Sequence, residues 1–181
     1  TVEELMRNTR NNPLEDLGMH LPLICDRYEV RDDVPPGAGK FRGGSGVVKS
    51  QRYLTPGFMT HESDRHLDVP WGVFGGKEGA VGKMEIYNAE RPEDIRQEYS
   101  KFSGLRTEAG DVVSYFSPSG GGYGDPLERD PHKVLDDVLD GFIGVEHAKE
   151  AYGVVLKEVD NGYGWDLDLA ATEALRAQAA A

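Results

Sequence analysis

The residues with chemical potential lie in a few short stretches. Asn8, Thr9, Arg10 and Asn11 crowd amide, hydroxyl and guanidinium donors into four positions ahead of Pro13. Such a cluster either closes a hydrogen-bonded turn or presents a polar loop to a ligand. His61 and His66 stand among Glu62, Asp64 and Asp68. A metal needs neutral imidazoles and ionised carboxylates converging on one point. Five residues apart, the two histidines share no face of a regular helix or strand, so the spacing favours a solvated or interface loop. Trp71 and Phe74 sit directly against Gly75 and Gly76. These large apolar groups either plug a core or wall a pocket floored by glycine backbone. Cys25, the single cysteine, lies in the apolar run 21–25 and reads as a buried structural thiol. No catalytic residue is identifiable from spacing alone.

The elements that must position these groups turn on one stretch, residues 117–126, with four glycines in the five positions 120–124, closed by Asp125-Pro126. Its backbone has free access to positive φ and then stops sharply. A second glycine run, residues 37–46, matches neither a dinucleotide fingerprint nor a P-loop. It is expected to form a tight turn and bulge between strands.

Before the hinge, apolar and β-branched residues predict strands over 23–31, 47–54, 81–87 and 112–116. The segment 47–54 has no clean apolar face, which suggests a strand near an edge or interface. Pro13 is expected to open one helical turn that Gly18 closes. Residues 55–69 read as a loop, and 91–100 as a short surface helix or loop. After the hinge the pattern turns helical. Asp130 and Pro131 start a helix that Gly141 ends, residues 145–152 form a second helix ended by Gly153, and Asp168 caps a last one over 169–178. Val154 to Leu156 reads as a short buried strand. The expected class is α+β: glycine-rich, mainly antiparallel strands over about 20–116, then short C-terminal helices. A boundary is expected near 126, with residues 127–181 packed as a helical region on residues 1–126.

Composition narrows the function. The chain has 181 residues and a net charge of −12, which disfavours nucleic acid and anionic membranes as partners. No apolar run approaches the roughly 20 residues that span a bilayer, and no basic-then-apolar leader is visible, so a cytoplasmic location is expected.

Five motifs carry a family resemblance. Residues 8–15 are similar to N-T-x-N-x-P-x-E, residues 37–46 to G-A-G-x-x-R-G-G-x-G, and residues 70–76 to P-W-G-x-F-G-G. Residues 119–131 resemble G-G-G-x-G-D-P-x-x-R-D-P, and residues 152–156 the closing Y-G-V-V-L. In this order they resemble the C-terminal portion of the hydantoinase B/5-oxoprolinase family, which includes the large subunits of acetone and acetophenone carboxylases.

The resemblance implies an ATP-dependent complex in which an A-type subunit phosphorylates a carbonyl oxygen. The B-type subunit then carries the activated species to ring opening by water or to carboxylation. ATP and a divalent metal are expected to bind outside this chain, on the A-type subunit and on the N-terminal part of the B-type subunit. No residue here inherits a metal role. A small-molecule substrate is implied, cyclic-amide hydrolysis leads over ketone carboxylation, and a non-catalytic assembly domain is the competing class. Asn8, Thr9, Arg10, Asn11, Trp71, Phe74, Gly75 and Gly76 are the substrate-path candidates. The chain is expected to be inactive alone.

Overall fold

The computed structural model describes residues 13–159, 162 and 164–179. Its architecture is α+β, as the strand-then-helix pattern predicts. The described chain forms two compact units, each assembled from three separated segments. The first comprises residues 13–30, 46–68 and 81–118, and the second residues 31–45, 69–80 and 119–179.

The first unit opens with α1 (Leu14–His20), followed by β1 (Leu23–Val30), β2 (Val47–Tyr53), β3 (Gly57–Glu62) and β4 (Lys83–Asn88). β5 (Arg91–Glu98), β6 (Lys101–Thr107) and β7 (Asp111–Phe116) complete it. Five strands make an antiparallel sheet in the order β1-β2-β7-β4-β5, while β3 and β6 pair separately. Alternation along β4 buries Met84 and Ile86, which pack with Met59 of β3 and Val113 of β7 as the core. In the sheet centre, Ser50 and Ser114 lie opposite each other and share a 2.7 Å hydroxyl–hydroxyl hydrogen bond. Their polarity is thereby satisfied within the buried surface.

Several expectations change here. Residues 91–98 are a strand, not a surface helix or loop. β5 is an outer strand with seven of its eight residues exposed, so no buried face imposed an alternating pattern. Pro92 is compatible with that edge position. The first part of the supposed 55–69 loop is β3. Gly18 lies inside α1, which runs on to His20. β2, expected near an edge, does lie next to the edge strand, bonded on both sides. Cys25 is only half-buried, with its thiol toward Arg27 O at 3.4 Å.

The second unit holds a short 3-10 turn (Pro126–Glu128), α2 (Pro131–Leu139), α3 (Val145–Tyr152), a hairpin of β8 (Leu156–Glu158) and β9 (Trp165–Leu167), and α4 (Leu169–Ala179). The helix signals act as read. Asp130 accepts from His132 N at 3.0 Å, Gly153 closes α3 with φ +61°, and Asp168 accepts from Ala171 N at 3.0 Å. Val134 and Val138 of α2 and Ala148 and Tyr152 of α3 pack with Val154 and Leu167. Val154 is a core residue ahead of the strand, which starts only at Leu156.

The two glycine runs belong to one structure in this unit. The segment 120–124 is extended between residues 37–44 and residues 73–77. Gly37 N donates to Gly120 O, Gly120 N to Gly44 O, and Phe41 and Tyr123 exchange both backbone bonds, all at 2.8–3.0 Å. On the other side, Gly122 N donates to Lys77 O and Val73 N to Gly122 O, both at 2.9 Å. The run 37–46 is therefore no simple turn between strands. It contributes to a ladder of three strand-like segments that approach too closely for side chains. A Cβ at Gly43 would lie 2.0 Å from Gly120 O, and one at Gly76 would lie 2.1 Å from Gly122 O. At Gly121 and Gly122 it would meet Trp71 O and Ala38 O at 2.1 Å.

Because the obstructing atoms are backbone, no rotamer change can relieve the clash. Gly76→Ala should therefore cost about 3 kcal/mol or more in denaturant unfolding, at or beyond the upper end of ordinary overpacking. Gly104→Ala, at φ +68° with open space around it, should lose only about 1–2 kcal/mol, the left-handed penalty. Equal losses would contradict the close-packing account.

Candidate functional site

The glycine ladder carries an exposed aromatic surface. Val73 O accepts from Gly76 N at 3.1 Å, closing a turn whose central residues, Phe74 and Gly75, have φ +52° and +95°. Positive φ at both positions belongs to a type I′ turn, where Asn-Gly is usual. A phenylalanine there strains the backbone, and such strain persists only where the surroundings impose it. Phe74 is nonetheless 77% exposed. Its ring packs edge-on against Tyr123 at 5.2 Å, and Phe41 lies 6.1 Å from Tyr123 on the neighbouring segment. Trp71 is 67% exposed. Neither Trp71 nor Phe74 plugs a core.

Charge fixes the ladder to α2. The Asp137 carboxylate, 6% exposed, accepts from Arg42 Nε at 3.0 Å through one oxygen and from Arg129 Nη2 at 2.8 Å through the other. Arg42 also donates to Gly43 O and lies 4.5 Å over the Phe142 ring. Arg129 donates to Lys40 O at 3.1 Å. One buried anion thus holds two cations, each of which clamps backbone in the run 37–46. The platform this makes is braced by those bonds, and its exposed groups are aromatic. It can stack on or shield an apolar or planar group, but its rings supply no general base.

Of the sequence candidates, Trp71, Phe74, Gly75 and Gly76 fall together on this surface. Asn8, Thr9, Arg10 and Asn11 lie outside the described residues. Phe41 and Tyr123 were missed, although the signal was present: each is the large residue inside a glycine run. The reading of His61 and His66 is also revised. β3 ends at Glu62, and a reversal through Arg65 at φ +62° brings the two rings to 6.2 Å. Spacing rules for regular elements do not reach across such a turn. Among the described residues, no three His, Cys, Asp or Glu side chains gather to hold a metal ion, and no helix is long and apolar enough to cross a membrane.

Comparison with known proteins places this architecture. Residues 1–126 match the hydantoinase B/oxoprolinase family model, and the chain belongs to that family. It is 41% identical over 175 residues to the B-type subunit of a putative D-/L-hydantoinase from Pseudomonas sp. (strain NS671), covering 97% of this chain and 28% of that protein. It is 30% identical to the acetone carboxylase alpha subunit of Xanthobacter autotrophicus, over 92% of this chain and 26% of that one. The crystal structure of the ATP-dependent caprolactamase from Pseudomonas jessenii matches with TM-score 0.74 and 30% identity, across 91% of this chain and 28% of that one. The chain thus spans about a quarter of the length of these relatives.

The buried charge triad gives a direct test. Asp137→Ala leaves two largely buried guanidiniums without their shared anion and should cost about 3–5 kcal/mol in denaturant unfolding. Glu128→Ala, which breaks the exposed 2.9 Å pair with Lys40, should cost less than about 1 kcal/mol. Comparable losses would remove the triad as the clamp.

Proposed function

We propose that this chain forms the C-terminal part of a B-type subunit in an ATP-dependent cyclic-amide hydrolase of the hydantoinase/oxoprolinase type. The observation that carries the reading is the 41% identity, across nearly the whole chain, to the B-type component of a hydantoinase. The A-type subunit takes up ATP and phosphorylates the carbonyl oxygen of the cyclic amide. The N-terminal part of the B-type subunit completes the site, and ATP and a divalent metal bind outside this chain. The complex works in the cytoplasm, and the chain alone is inactive.

Within that reading, Trp71 and Phe74 wall the substrate path above Gly75 and Gly76, and the polar residues Asn8, Thr9, Arg10 and Asn11 are a separate candidate for substrate contact. An activated carbonyl must be shielded from bulk water until its proper acceptor arrives. Exposed rings on an unyielding backbone suit that task. A second reading, an ATP-dependent ketone carboxylase, is supported by the 30% identity to an acetone carboxylase alpha subunit.

The test is ATP turnover by the purified native complex against hydantoin, 5-oxoproline, caprolactam, acetone and acetophenone, each with and without bicarbonate. Turnover on a cyclic amide without bicarbonate is expected. Turnover only on a ketone with bicarbonate would replace the hydrolase reading by the carboxylase one. In the same complex, Arg10→Ala and Phe74→Gly should each lower turnover on the order of tenfold, about 1.4 kcal/mol of barrier, with melting temperature little changed. Unchanged turnover would remove these positions from the substrate path.

A further inference from the structure

The side chain of Phe74 gains little from the strained backbone that carries it. At φ +52° the residue stands where glycine or asparagine is usual, yet its ring is left 77% exposed. Strain of this kind clusters at sites that use it. A left-handed backbone fixes the direction of the Cα–Cβ bond. It does not fix the ring, which on an exposed phenylalanine turns among staggered rotamers. For Phe74 to present one constant surface, another group must hold it.

Its neighbours in the ladder are mostly glycine. Gly75 and Gly76 follow it, and Gly122 and Gly124 flank the residue beside it on the adjoining segment. None of these supplies a side chain. Among the described residues, the one aromatic ring in contact with Phe74 is Tyr123, edge-on, with 5.2 Å between centroids and 64° between planes. Tyr123 is itself placed from both sides. Gly124 N donates to Val73 O and Val73 N to Gly122 O, both at 2.9 Å, which seats Tyr123 beside the residue that precedes Phe74. On the other neighbouring segment, Phe41 exchanges both backbone bonds with Tyr123, and its ring lies 6.1 Å away.

Resting on the reading of Trp71 and Phe74 as a wall of the substrate path, we infer that Tyr123 is a positioning residue for that path. Its ring holds the Phe74 ring in the orientation that meets substrate. An edge-to-face pair favours one arrangement by a factor of roughly 2 to 10. A wall in place for only a fraction of the time weakens apparent binding by that fraction. The contact is ring to ring, so the phenol oxygen has no part in it.

A merely structural Tyr123 would behave differently. Its main-chain bonds to Phe41 do not depend on the side chain, and the residue is 50% exposed. Truncation therefore empties no core and leaves the ladder in place.

The experiment measures kcat/KM of the purified native complex on the substrate it turns over fastest, for Phe74→Gly, Tyr123→Ala, Tyr123→Phe and the double variant Phe74→Gly/Tyr123→Ala. Tyr123→Ala should lower kcat/KM between about twofold and tenfold, chiefly by raising KM, with melting temperature little changed. Tyr123→Phe keeps the ring and should stay within about twofold. The double variant should match Phe74→Gly alone, because two groups that act through one another do not add. Losses that multiply in the double variant would show Tyr123 acting on its own and overturn the inference. So would an unchanged Tyr123→Ala beside an impaired Phe74→Gly. An unchanged Phe74→Gly overturns the wall reading itself, and the positioning role with it. If Tyr123→Ala does not fold, proton NMR of the full chain decides. Strong nuclear Overhauser contacts between the two rings and a single Phe74 rotamer, both kept in Tyr123→Phe, support the inference. A Phe74 ring averaged over rotamers in the unaltered chain overturns it.

Discussion

Backbone meeting backbone without room for a β-carbon is the constraint on which the second unit depends. Three segments far apart in the chain, around residues 37–44, 72–79 and 119–124, are drawn together by amide–carbonyl bonds of 2.7–3.3 Å. Glycine is required at positions 43, 72, 76, 79, 121 and 122, where an added Cβ would lie 2.0–2.1 Å from a carbonyl oxygen. Such an array contributes almost no side-chain burial of its own and gives up much backbone entropy on ordering. Its stability must come from the hydrogen bonds and from what braces it. The brace is the Asp137 carboxylate between Arg42 and Arg129, set on a helix that also packs Val134 and Val138 into the core.

That arrangement also explains the exposed aromatics. With glycines consuming the inter-segment space, the few large residues in the same runs, Phe41, Phe74 and Tyr123, have no interior to enter. They project outward and pack on each other instead. The strained φ of Phe74 is tolerated because Gly76 N closes the turn on Val73 O, and Val73 is itself bonded to the glycine segment through Gly122 O and Gly124 N.

Much of this was legible from sequence, though unevenly. Helix caps are local, so Asp130-Pro131, Gly153 and Asp168 marked their boundaries well. Alternation around Met84 and Ile86 marked β4 because one face is buried. β5 has no buried face and β6 is interrupted by Gly104, so neither gave a period to read. The glycine motifs were visible as motifs, but their pairing was not. Contacts between residues 37 and 120, or 76 and 122, are non-local, and nothing in the local pattern of a glycine run names its partner. The meeting of His61 with His66 was hidden for a related reason: a turn through a left-handed arginine lies outside helix and strand periodicity.

Braced in this way, the glycine ladder should be as stable as the helices beside it. Native-state hydrogen exchange reads this amide by amide, because Gly120, Gly122, Tyr123 and Gly124 each donate across the ladder. These four amides should open only with the whole unit, matching the protection of core amides in α2 and α3. Exchange of the four at the rate of exposed loop amides, while α2 and α3 remain protected, would contradict it.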